Sequence, residues 1–332
     1  MRFVELERDG EWNSFLAKSE NHHIYQTREM AKVMESLGFR ARFFAILKGK
    51  KRIAQIALLE KRSHGMLRKK LANSWLSYSP PVLLCKKGSE RKAFTELVRA
   101  LQARAKKEGI SWITIWSSPK WDPVEWFSAL DFEPSVKENA VLELKKTSGE
   151  TWHSIYKHAR RDVRKGKETE AFTREAESLN EMKEFYSIYK SHHDHVGIAP
   201  YPWEYFEAFW REVIEKGMGK LLLVQLGGEI IAGLMIGTFC SEIYEFSNAV
   251  KPHTYGYFPT DLMNWKLIEW AVPKGYRVFD LSNVPVGKTT EKEEGIKRFK
   301  KKWGTLKQYH EFKWYSSGMK KRMIEGIKSI KS

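Results

Sequence analysis

Apolar residues dominate two stretches that each double back at a polar or glycine turn. Phe39–Gly49 and Ile53–Lys61 read as strands joined by a turn at Lys50–Arg52, and Lys220–Leu226 and Glu229–Phe239 as strands joined by Gly227–Gly228. The glycine pair suits a tight hairpin turn, where positive backbone angles match the twist of the strands. Helical spacing precedes each hairpin, at Glu11–Lys18 and Arg28–Leu37, then at Ser178–Ser191 and Trp203–Lys216. Downstream, Glu90–Glu108 is helical and stops at Gly109 before the strand Ile110–Trp116. Thr260–Val272 is helical and meets Pro273 and Gly275 before the strand Tyr276–Leu281. Both stops follow from residues that cannot continue a helix. Short helices are expected at Pro123–Leu130 and Glu291–Trp303, and closing strands at Ala140–Lys145 and Gln308–Tyr315.

The same element order therefore occurs twice: two helices, a hairpin, then helix, strand, helix, strand. This predicts an α/β chain of mixed sheets, built from two copies of one unit. The expected division is 1–147 and 148–332, within the turn-prone run Thr147-Ser148-Gly149-Glu150. The second domain is expected to carry the active site, in a cleft near its junction with the first.

Composition narrows the class. The chain has 332 residues, 42% of them hydrophobic, including 13 Trp. That is ample for packed cores and too apolar for a disordered chain. Only Cys85 and Cys240 are present, far apart, so neither a disulfide scaffold nor a paired-cysteine zinc site is expected. The opening residues lack the apolar stretch of a signal peptide, and Ile230–Gly237 is far too short to cross a bilayer. A cytoplasmic monomer is the expectation.

Charge then points to a partner. The formal net charge is +17. Lys48–Lys70 holds nine basic residues against one acidic, Lys157–Lys167 six against one, and Lys288–Ser332 fourteen against five. Outside these clusters the chain is slightly acidic, so an anionic partner is expected: nucleic acid, acidic lipid or a phosphorylated metabolite. The tail Met319–Ser332 reads as a basic amphipathic helix, with Met319, Met323, Ile327 and Ile330 on one side. Packing is its first reading; contact with an anionic membrane surface or with tRNA is the other.

Four segments carry a family resemblance. Ile24-Tyr25-Gln26 with Met30, His158 through Gly166, Tyr257 through Trp265, and Phe279-Asp280-Leu281 followed by Gly295 through Gly304 resemble motifs of the FemABX family. The last of these, which contains Phe299-Lys300, is the most specific match. The resemblance implies two tandem GNAT domains, and transfer of an aminoacyl group from aminoacyl-tRNA to a primary amine on a phosphorylated or lipid-linked acceptor, as in cell-wall precursors. It implies no resident cofactor. A CoA-dependent N-acyltransferase, with a CoA thioester as donor, is the alternative; a non-catalytic tRNA- or RNA-binding protein on the same fold is another.

Acyl transfer to an amine requires a held carbonyl, a neutral amine and a donor for the oxyanion. By resemblance Lys300 is the electrophilic donor and Phe299 shapes the wall. Asp280, where a GNAT sheet splays open, is expected to take or orient the proton of the incoming ammonium, with His253 as the alternative base. Arg160, Arg161 and Arg164 fall on one helical side and are expected to clamp phosphate bidentately. His253, Tyr255 and Tyr257 belong to the loop before a helix start at Pro259-Thr260-Asp261, and the bulk of the two tyrosines disfavours a pyrophosphate there. Gln26 is assigned to substrate binding by its motif. His192-His193-Asp194-His195 invites a metal reading, but adjacent histidines in a loop point different ways, and no metal is expected.

Overall fold

The structure, a computed structural model, describes residues 1–7, 9–62, 73–197, 199–287 and 289–329. Residues 63–70 of the first basic cluster, Lys288, and residues 330–332 of the tail lie outside the described residues. The elements up to the middle of the chain are β1 (Arg2–Glu5), α1 (Trp12–Ala17), α2 (Arg28–Glu35), β2 (Arg40–Lys48), β3 (Lys51–Lys61), β4 (Ser74–Ser77), β5 (Val82–Leu83), α3 (Glu90–Lys107), β6 (Trp112–Trp116) and α4 (Val124–Ser128). There follow β7 (Glu133–Glu143), α5 (Ser148–Ser154), α6 (Lys157–Lys167), β8 (Phe172–Glu175), α7 (Leu179–Val196), α8 (Trp203–Phe209), β9 (Gly219–Leu226), β10 (Glu229–Phe239), β11 (Glu242–Val250), α9 (Pro259–Ala271), β12 (Val278–Asn283), α10 (Glu291–Lys301), β13 (Thr305–Tyr315) and α11 (Gly318–Ser329).

Local chemistry sets many of these boundaries. Gly227 and Gly228 both have positive φ, at 56° and 85°, which lets β9 turn directly into β10. Ser178 caps α7 by accepting from the Glu181 N–H, and Gly197 ends that helix in the left-handed conformation. Thr147 and Glu150 form a reciprocal capping box that opens α5. The run expected to be a turn between domains is therefore a helix start.

Two compact units result. One is Met1–Val136 together with Tyr309–Ser332, and the other is Lys137–Gln308. In the first unit the strands lie in the order β1-β2-β3-β4-β6-β13, with β4 and β6 parallel. In the second the order is β8-β9-β10-β11-β12-β7, with β11 and β12 parallel. Along these paths the layouts match, including an antiparallel strand beside the parallel pair; β5, which pairs with β3, has no counterpart among the described residues of the second unit.

That last strand corrects the expected division at 147/148. Each half was expected to close its own sheet. Instead Asn139–Glu143 of β7 pairs with β12 of the second unit, and Glu311–Tyr315 of β13 pairs with β6 of the first. Packing follows pairing. Ala140 and Leu142 belong to the second core with Phe279, Leu281 and Trp303. Phe312 and Trp314 belong to the first core with Phe94, Phe127 and Ile115. The Phe312 ring stacks on Phe127 at 4.1 Å. Truncating such a fully buried ring costs about 3–5 kcal/mol, so β13 is integral to the first unit.

Candidate active site

The ladder between β11 and β12 is short. It runs from Glu242 opposite Val278 to Tyr244 opposite Asp280. Beyond Tyr244, β11 continues beside β10 with a bulge, its register shifting so that Glu245 faces Ile236 and Ser247 faces Met235. Phe246 is the extra residue. Bulges re-aim side chains and end pairing, and here the parallel strands part. On β12 the register against β7 also shifts between Asp280 and Asn283. Ser282 has φ of 67°, and its N–H donates to Asp280 Oδ1 at 2.7 Å. A non-glycine residue held in that region stores strain, a frequent mark of a functional site.

Lys300 reaches this gap from α10. Its Nζ donates to Leu281 O at 2.5 Å and to Asn283 O at 3.0 Å. An ammonium has three N–H groups, so one remains for a further acceptor. Asp280 takes both contacts of the Asn139 amide, at 2.9 and 3.0 Å. Burial raises the Asp280 carboxyl above its ordinary value; Asn139, the Ser282 N–H and the Lys300 charge work against it. Glu245, which sequence reading did not single out, is raised by burial and by the Asp280 charge, while Lys300 opposes the shift. A lysine and two carboxyls that resist ionisation thus meet where β11 and β12 separate. No periodic pattern marks Glu245, because its position depends on the bulge and on where the ladder stops.

The placement of α10 is firmly determined. Lys297 pairs with Glu138 at 2.9 Å. Lys302, just past the helix, pairs with Asp162 at 3.0 Å and Asp261 at 2.7 Å. Trp303 is buried and its Nε1 donates to Asp261 at 3.0 Å. Burial raises Asp261 despite Lys302. At Asp162 burial pushes upward, but Lys302 and Arg161 outweigh it and hold the carboxyl low. Phe299 packs partly buried against the core, with Lys302 Nζ 4.5 Å from its ring centre. A Cβ on Gly304 would lie 2.8 Å from the Val141 carbonyl carbon, so only glycine lets the chain pass β7 there.

Other expected site residues are placed differently. Arg160, Arg161 and Arg164 do not converge. Arg160 donates to the Trp152 and His153 carbonyls, at 3.4 and 3.1 Å, Arg161 pairs with Asp162 at 2.8 Å, and Arg164 lies over the Trp152 ring at 5.6 Å. Each guanidinium is drawn to its nearest acceptor or ring, so the three do not form one clamp. Gln26 is fully buried; its amide accepts from the Ala57 N–H at 2.7 Å and donates to Ser77 at 2.8 Å. It is a strut of the first unit, consumed by backbone and hydroxyl partners, rather than an open ligand group. Tyr255 and Tyr257 form a single helical turn before α9 and are 54% and 36% exposed. Phe258 follows with φ of 54°, and Lys165 of α6 stands 6.0 Å from its ring.

His253 has φ of 69° and lines an open groove of about 970 Å³ with Glu184, Ser191, Glu229 and Lys251. That groove does not include Lys300, Glu245 or Asp280. His192 and His193 lie on the last turns of α7, not in a loop. Among the described residues, no group of three or more His, Cys, Asp or Glu is arranged to hold a metal ion, and no helix is long and apolar enough to cross a membrane.

Comparison with known proteins matches this architecture. Residues 153–301 match the family model of the acetyltransferase (GNAT) domain. Among solved structures, FemX is 16% identical with a TM-score of 0.78, over 95% of this chain and 97% of that one. The chain has a FemX-like, tandem GNAT fold. The tandem GNAT protein from the clavulanic acid biosynthesis pathway is 11% identical, with a TM-score of 0.55 over 95% of this chain and 98% of that one. The C-terminal domain of a protein named as a lysylphosphatidylglycerol synthetase of Agrobacterium fabrum is 11% identical, with a TM-score of 0.60 over 95% of this chain and 96% of that one. No curated protein matches the sequence. Within the FemX-like fold, Lys300, Glu245 and Asp280 all belong to the unit that contains the GNAT match.

Proposed function

We propose that this chain is an acyltransferase that moves an aminoacyl group from aminoacyl-tRNA to a primary amine of a phosphorylated or lipid-linked acceptor, such as a cell-wall precursor. The observation that carries the reading is Lys300 at the parting of β11 and β12, with an N–H to spare and Glu245 and Asp280 beside it. The ester carbonyl of the donor lies against Lys300, whose ammonium stabilises the oxyanion as it forms. A carboxylate takes the proton from the incoming ammonium, and Glu245 is assigned this role because Asp280 is engaged by Asn139 and Ser282. The amine nitrogen attacks, the C–N bond forms, the ester C–O bond breaks, and the nitrogen's surplus proton passes to the leaving oxygen, which departs as the 3′ hydroxyl of the tRNA. No covalent enzyme intermediate is needed.

The donor assignment rests on charge and on exposed rings. The basic face of α6 and the exposed Tyr255 and Tyr257 belong to the same unit. Bases stack on such rings and phosphates are drawn to such charge. FemX and the lysylphosphatidylglycerol synthetase named above, both similar in fold, agree with an aminoacyl group as cargo.

A CoA thioester donor is the second reading. It is favoured by the start of α9, which has Pro259 in its first turn and no side-chain cap, so its first N–H groups face no side-chain acceptor. Transfer of label from charged tRNA or from acetyl-CoA to a panel of amine acceptors separates the two. Labelled product from charged tRNA alone is expected. Turnover of acetyl-CoA with none of charged tRNA overturns the proposal in favour of the second reading. Binding of tRNA without any transfer makes the chain a binding protein on this fold.

A further inference from the structure

Most apolar side chains of the first unit are covered, but those at the start of α11 are not. Met319 is 75% exposed, the most of any large hydrophobic residue among those described, and Met323 is 43% exposed. They stand four residues apart, as neighbours on one helix face. Ile324 is buried on the inner side. Lys320 and Arg322 flank the two thioethers in the sequence, which goes on with Ile327, Lys328, Ile330 and Lys331.

Further basic groups lie alongside. Lys321 pairs with Glu133 at 2.5 Å and sits 5.9 Å from the Tyr315 ring. Lys313 sits 5.6 Å from the same ring and 5.6 Å from that of Trp112.

We propose that the outer face of α11 docks the protein on the surface of an anionic lipid bilayer. An apolar stripe edged by Lys and Arg is the pattern of helices that lie in the membrane interface, the stripe entering the acyl boundary and the cations meeting headgroup phosphates. Nucleic acid fits this face less well. Thioethers offer a base neither a stacking plane nor a hydrogen bond, and the nearby Tyr315 and Trp112 rings already lie under lysine ammoniums. A second copy of the chain would set Lys320 and Arg322 against their own kind.

The test is flotation of the full chain with vesicles of phosphatidylcholine alone and of phosphatidylcholine mixed with phosphatidylglycerol. Binding is expected to the anionic vesicles only, weakening as salt shortens the screening length. The double variant Met319→Asp, Met323→Asp is expected to stay in the unbound fraction. Circular dichroism should be unchanged, since both positions are exposed. Lys320→Gln with Arg322→Gln is a second, milder variant, expected to lower partitioning roughly 30-fold. The proposal is overturned by no flotation at low salt, by equal binding to neutral vesicles, or by unchanged binding of both variants. It is also overturned if the same substitutions abolish tRNA binding while the wild-type protein ignores vesicles.

Discussion

The two units use one backbone device for opposite ends. In each, two parallel strands pair briefly and then part: β4 with β6 as far as Ser77 and Ile115, β11 with β12 as far as Tyr244 and Asp280. Past that point the first unit places rings. Tyr78 contacts Tyr25 at 4.9 Å and Trp116 at 5.1 Å, and Trp116 contacts Tyr309 at 6.3 Å. Gln26 is buried against Ser77 beneath them. The second unit places Glu245, Asp280 and Lys300 at the equivalent position. The split of a parallel pair supplies a location, and the side chains there decide whether it is filled by rings or lined by charged groups. Duplication therefore explains the shape of the second site but not its chemistry.

The comparison can be pressed by experiment, beginning with the largest effect. Lys302→Met leaves Asp162 and Asp261 without their shared cation in a mostly buried setting. Breaking one side of such a pair is expected to destabilise the second unit by about 3–5 kcal/mol, read by denaturant unfolding. An unchanged midpoint would show that the pair does not anchor α10.

Next is Glu245→Gln. If Glu245 is the base, kcat/KM should fall by ~10²-fold. The pH profile decides its role. Burial raises this carboxyl, so activity that needs it ionised is present above its raised pKa and lost as pH falls through it. The glutamine variant should lack that acid limb. A retained limb moves the assignment to Asp280.

The smallest effect belongs to a buried charge cluster of the first unit. Arg42 bonds Glu5, Glu60 and Glu108. At Glu108 burial pushes upward, but bonds from Arg42 and Arg104 prevail and hold the carboxyl at about 2. A depressed carboxyl stabilises fully above its unfolded value and loses that contribution as pH falls toward the folded one. Thermal stability of the first unit should therefore decline below the ordinary carboxylate range, down to about pH 2. In Glu108→Gln that decline should be shallower.

Much of the fold was legible because its signals are local. The hairpin at Gly227–Gly228 and the helix stop at Gly109 are backbone requirements visible in single residues. The exchange of closing strands was not legible. The apolar residues of β7 and β13 show that each is a half-buried strand but not which sheet it joins, and the choice is made by long-range pairing. In the site, Lys300 was marked by its motif, and Asp280 by the end of its strand. Glu245 had no mark, since a bulge at Phe246 sets its direction. The three arginines share a helix side, yet helical spacing does not say where a long side chain will find its partner.

The account rests on Lys300 acting on the donor ester. Single-turnover transfer from charged tRNA, comparing wild type with Lys300→Ala, addresses this directly, because it isolates the chemical step. The predicted result is a loss of ~10²-fold or more in the single-turnover rate with donor binding largely retained. A variant that transfers at the wild-type rate would contradict the central claim.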